Sequence, residues 1–98
     1  MKQTAKQDHI QQLFALITKI DNVDDCRALF DDLCTIKEVR DMGQRLAVAF
    51  QLRQGDSYQK IIETTGISSA TICRVNRCLS YGSGGYNTVI DRMQEEQT

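Results

Sequence analysis

The 98-residue chain has no proline, no tryptophan and a single histidine, His9. Without proline, nothing in the sequence forces a break or kink in a helix. Its six glycines fall at Gly43, Gly55, Gly66 and in the cluster Gly82, Gly84, Gly85, so the stretches between them favour helices over strands. No segment approaches the roughly 20 apolar residues of a membrane span, and Met1-Lys2-Gln3-Thr4 opens no apolar run of signal-peptide length. The expectation is a soluble, intracellular protein acting in the cytoplasm. Cys26, Cys34, Cys73 and Cys78 include no CxxC pair, and Cys73 and Cys78, five apart, fall on different sides of a helix. They read as reduced, packed thiols, with a zinc site or a disulfide as the alternative. With no Ser-His-Asp set, metal cluster or nucleotide loop, neither an enzyme nor a cofactor is expected.

Net charge is −1, which by itself argues against a polyanionic partner. Its distribution argues the other way. Residues 34–81 carry seven basic side chains (Lys37, Arg40, Arg45, Arg53, Lys60, Arg74, Arg77) and four acidic ones (Glu38, Asp41, Asp56, Glu63), leaving +3 there and −4 elsewhere. A basic middle between acidic ends suggests that one segment meets an anion while the rest is scaffold.

Between Asp8 and Ile20, the residues Ile10, Leu13, Phe14 and Ile17 follow the spacing of one helical face. Asp21 to Asp24 supply capping residues, and Cys26, Leu29, Phe30 and Leu33 repeat the pattern in a second helix. Thr35-Ile36-Lys37-Glu38 is a capping box opening a third helix that runs to about Gln54 and is closed by Gly55. Ile36, Val39, Met42, Leu46, Ala49, Phe50 and Leu52 give that helix a broad apolar surface, more than a peripheral helix of a monomer needs. A last helix follows the glycine cluster, with Tyr86, Val89, Ile90 and Met93 on one side. The cluster reads as a terminator and hinge, since no GK[ST] follows it.

Asp56 to Leu79 reads as two short helices and a tight turn. Asp56 or Ser57 caps the first helix, Gly66 supplies a left-handed residue, and Ser68 or Ser69 caps the second. Ile61, Ile67, Ile72, Val75 and Leu79 pack the pair together, leaving Ser69, Ala70, Thr71, Cys73, Arg74 and Arg77 outside. Small residues let a helix start enter the major groove, and arginines reach phosphates or guanine edges. The bland alternative is a helical hairpin with a solvated polar face.

Gln44-Arg45-Leu46, Gly55, Thr65-Gly66, the run from Ser69 to Leu79 and the Tyr81-to-Tyr86 segment resemble the Trp repressor superfamily, most closely its YerC/YecD-like branch. The resemblance implies an all-α, six-helix Trp repressor-like fold and an intertwined homodimer. One domain over 1–98 would place dimerisation in helices 8–54 and 85–96 and the helix-turn-helix at 57–79. It also implies a sequence-specific DNA-binding regulator, a repressor associated with the nucleoid when bound, contacting DNA through Tyr58, Gln59, Lys60, Ser68, Ser69, Ala70, Thr71, Cys73, Arg74 and Arg77. Ile62 stands where the Trp repressor has a lysine, so fewer phosphate partners are expected from the first helix of the motif.

The family's corepressor is held by two arginines and a threonine, which Arg45, Arg74 and Thr35 match. Val75 stands in place of a glycine and Cys78 in place of a serine. The implied effector, bound by Thr35, Arg45, Arg74, Val75 and Cys78, is therefore an amino acid smaller than tryptophan. The alternative for these residues is that Thr35 is only a cap and the arginines are solvated or touch phosphate. The rival to DNA reading as a whole is a helical, dimeric protein-interaction module.

Overall fold

The structure, a computed structural model, describes residues 5–97. Six helices and no strand are found among them: α1 Ala5–Ile17, α2 Val23–Leu33, α3 Ile36–Arg53, α4 Tyr58–Thr65, α5 Ser69–Tyr81 and α6 Gly85–Gln97. The chain divides into two compact units, one up to Val39 and one from Arg40 on, so the boundary falls inside α3 rather than in a loop.

In the first unit, α1 stops at Ile17, three residues before the end its apolar spacing predicts. Lys19 and Ile20 donate to the carbonyls of Leu16 and Ile17 at 3.0 and 3.2 Å, the tighter three-residue bonds that wind down a helix end. The Thr18 hydroxyl also donates to the Ala15 carbonyl at 2.7 Å. Among the candidate caps before α2 it is Asn22 that serves, its Oδ1 accepting from the Asp25 N–H at 2.8 Å. None of the described side chains of residues 8–39 is buried. Ile36 is 81% exposed and Val23 72%, so the unit presents apolar area that it does not itself cover.

The capping box forms as its sequence dictates. The Glu38 N–H donates to Thr35 Oγ1 at 3.1 Å, and the Thr35 N–H donates to Glu38 Oε1 at 2.8 Å. That backbone bond first, and the side-chain bond to Thr35 second, hold the Glu38 carboxyl below its usual value of 4.5. A carboxyl depressed in the folded state contributes stability above its unfolded value and loses it as pH falls through the folded one. The start of α3 should therefore fray in acid. In Glu38→Gln this loss should be absent, so the difference in stability between parent and variant should shrink as pH drops below about 4.5. Parallel urea titrations across that range measure it, and a constant difference would remove Glu38 from the cap.

The second unit has a true core. Val48 and Ala49 of α3, Ile61 of α4, Ile72 and Val75 of α5 and Ile90 of α6 are at most 1% exposed, with Phe50, Leu52, Ile67, Leu79 and Tyr86 packed against them. Each fully buried aliphatic side chain contributes about 1.5–3 kcal/mol. Every helix of the unit supplies at least one. Gly55 ends α3 at φ +93°, with its own N–H on the Leu52 carbonyl and the Asp56 N–H on the Gln51 carbonyl, both at 3.0 Å. This paired closure satisfies two carbonyls that the helix end would otherwise strand.

Within α3, Val48 and Leu46 lie two residues apart, about 200° around the helix. Val48 is buried and Leu46 is 37% exposed. The helix is thus apolar on two sides, one fully buried in the second unit and the other left partly open.

Candidate nucleic-acid interface

The two short helices after Gly55 are fixed by their own capping chemistry. Ser57 caps α4, its Oγ accepting from the Lys60 N–H at 3.1 Å. Gly66 takes the left-handed conformation at φ 73° and closes on the Ile62 carbonyl at 2.9 Å. Thr65 braces the turn from both sides: its hydroxyl donates to the Ile61 carbonyl at 2.6 Å and accepts from the Ile67 N–H at 3.1 Å. Ser68, not Ser69, caps α5, its Oγ accepting from the Thr71 N–H at 3.3 Å.

These caps set the rotation of α5. Ile72 and Val75 point into the core, while Ser69, Ala70, Cys73, Arg74, Asn76 and Arg77 are exposed. Thr71 is half-buried and accepts at Oγ1 from the Ser68 hydroxyl at 3.1 Å, so it belongs partly to the cap. Neither Arg74 nor Arg77 has an ion-pair or hydrogen-bond partner among the described residues. Two uncommitted guanidinium groups thus share a helix whose positive end lies at Ser69.

The contacts expected from α4 are less open. Tyr58, Gln59 and Lys60 are exposed, but Gln59 Nε2 donates to Glu63 Oε1 at 2.9 Å. Lys60 Nζ sits 3.2 Å from Asp56 Oδ1. The Lys60 side chain is 61% exposed and that of Asp56 only 14%, so a phosphate at Lys60 competes with a carboxylate already in place.

The residues expected around an effector are scattered in role. Thr35 is engaged in the capping box of the first unit. In the second unit Arg45 is half-buried without an ion-pair partner among the described residues, and Arg74 is exposed. Val75 is 1% exposed and packs in the core, so its side chain offers no surface to a ligand. Cys78 is exposed and lines a cavity of about 530 Å³ with Leu46, Tyr86, Val89 and the 82–85 loop. That cavity, walled by carbon and glycine backbone, was not foreseen from the pattern.

A second group also escaped sequence reading. Arg53 Nη1 donates to Asn87 Oδ1 at 2.9 Å, Arg53 Nη2 meets Asp91 Oδ1 at 2.6 Å, and Asn87 Nδ2 donates to the Leu79 carbonyl at 3.0 Å. Arg53 is therefore committed inside the protein, although by charge alone it counted toward the anion-binding segment.

Two capped helices around a left-handed glycine, over a shared core and with free arginines outward, define a helix-turn-helix protein. The family model described as Trp repressor protein matches residues 8–94, and the chain belongs to that family. The chain is 47% identical to the Bacillus subtilis protein YerC over 89 residues, which cover 91% of this chain and 86% of YerC. The solved structure of a TrpR-like protein from Eubacterium eligens superposes with a TM-score of 0.85 at 42% identity, over 89% of this chain and 90% of that one. A Staphylococcus aureus protein provisionally assigned as a Trp repressor gives the same TM-score at 36% identity, over 95% and 96% of the two chains. Six helices without strands among the described residues agree with the expected fold class.

Proposed function

We propose that this protein is a regulator of transcription, a repressor, that binds operator DNA as a homodimer. On this reading α5 enters the major groove, and the motif spans 57–79. The observation that carries it is the pair of unpartnered, exposed arginines, Arg74 and Arg77, on a helix anchored by Ile72 and Val75 and capped by Ser68. Arg77 fits a phosphate contact. Ser69, Ala70, Thr71 and Cys73 lie where base edges would be read, with Tyr58, Gln59 and Lys60 beside the backbone.

The dimer is supported by the apolar area left open on Ile10, Phe14, Leu16, Val23, Leu33 and Ile36, and by the uncovered side of α3. Helices 8–54 and 85–96 would form its interface, with the two units acting as one domain in an intertwined pair. An amino-acid effector is supported by Arg45, half-buried and without a counter-charge among the described residues, since a guanidinium so placed recruits a carboxylate. Among the described residues no helix is long and apolar enough to cross a membrane. That is compatible with action on DNA in the cytoplasm.

Selection of bound fragments from genomic DNA, with and without added amino acids, tests the reading. Binding to the selected duplex should fall linearly in log affinity against log salt, as counterion release requires. Sedimentation at micromolar concentration should give twice the chain mass. Failure to enrich any fragment, with the chain folded and dimeric, would favour the interaction module instead.

A further inference from the structure

A connection of Gly82, Ser83 and Gly84, the last at φ +90°, joins the C-terminal end of α5 to Gly85 at the start of α6. A backbone so rich in glycine fixes little by itself. The last carbonyls of a helix lack intrahelical partners, and that of Leu79 is one of them. It is supplied from outside, by the side chain of Asn87 one turn into α6.

The direction of that amide is determined, not arbitrary. Asn87 Oδ1 is occupied by Arg53 Nη1, so Nδ2 must face Leu79, and the other arm of the Arg53 fork is held by Asp91, four residues further along α6. Asp91 orients Arg53, Arg53 orients Asn87, and Asn87 holds the end of α5. The cationic group also stands near the negative end of the α5 dipole, where it is favoured.

We propose that Asn87 is a positioning residue for DNA reading, which with Arg53 and Asp91 sets the tilt of α5 against α3 and α6 and thereby the discrimination between operator and random DNA. The inference rests on the DNA-binding reading above. From Ser69 to Leu79 the helix axis runs about 15 Å, so a tilt of about 10° shifts one end by roughly 2–3 Å relative to the other. Base-edge hydrogen bonds do not survive such a shift, whereas phosphate attraction does, because long arginine side chains follow the backbone.

The test compares affinity for the genome-selected duplex with that for a scrambled duplex of equal length and salt. Asn87→Asp keeps the shape and the acceptor for Arg53 but loses the donor to Leu79, and Asn87→Leu loses both without adding charge. Each should lower the ratio of the two affinities at least tenfold, while Asn87→Leu leaves the scrambled-DNA affinity within about threefold of the parent. A clasp that merely stabilised the fold would lower the denaturation midpoint and leave the ratio alone. Asp91→Asn, at a side chain 55% exposed and outside the core, keeps the test valid if the Asn87 variants do not fold, and should reduce the ratio about threefold. An unchanged ratio in folded variants overturns the role of the clasp while DNA reading stands. A folded parent that binds no duplex, or both duplexes equally, overturns DNA reading and the clasp's role with it.

Discussion

Ile72→Ala should lower stability by about 2–5 kcal/mol, a large share of what a domain of this size has. Ile72 is 0% exposed and lies in one cluster with Val48 and Ala49 of α3, Ile61 of α4 and Ile90 of α6. Removing its outer carbons opens a cavity in the cluster to which all four helices of the second unit contribute. Urea titration should show a lower midpoint with the slope retained, because the surface exposed on unfolding hardly changes. DNA binding should fall with the folded fraction and recover under stabilising salt-free osmolyte. A stability within about 0.5 kcal/mol of the parent would mean that α5 is not anchored through this residue.

Arg77→Ala should produce the largest loss in binding without loss of fold. Arg77 is exposed and uncommitted, so nothing in the chain depends on it. A charge-assisted contact is worth about 1.5–3 kcal/mol, and a homodimer loses it twice, so affinity should fall about a hundredfold to ten-thousandfold. The loss should be similar on selected and scrambled duplexes, and the log–log salt slope should become shallower by about 2, one for each phosphate released. Thr71→Ala behaves differently: it should change sequence preference more than affinity, with some loss of helix capping, because its hydroxyl also accepts from Ser68. If Arg77→Ala binds as the parent does, with the same slope, α5 is not the helix that faces DNA.

Much of this architecture was legible in local pattern. The Thr35–Glu38 box, the left-handed Gly66 and the division of α5 into a buried side and a polar one all follow from residues within a turn or two of one another. Local spacing could not decide between Ser68 and Ser69, or between Asp56 and Ser57, since either member of each pair could cap; backbone geometry chose Ser68 and Ser57. The end of α1 at Ile17 was missed because no glycine marks it, and three-residue bonds closed the helix early.

What remained hidden depends on distance in sequence. Val48 lies off the apolar stripe through Val39, Met42, Leu46 and Ala49, yet the second unit buries it as fully as Ala49. Arg53 meets partners 34 and 38 residues away, and no periodicity pairs them. Val75 carried two readings, one from its spacing as packing between the two short helices and one through a family position that holds glycine, where a side chain would narrow a ligand slot. In this chain its side chain instead fills the core, so substitution there should be felt as lost packing before any change in ligand choice.

The first unit, with no buried side chain among residues 8–39, has a bearing on turnover in the cell. Helices with no fully buried side chain to anchor them open often, and protease attack follows the population of open chain. If copies pair as proposed, a single chain should be cleaved first in this stretch, while paired copies, their apolar faces covered, are spared. The abundance of such a protein would then correct itself: surplus single chains are degraded, and the working pool is set by how readily copies encounter one another.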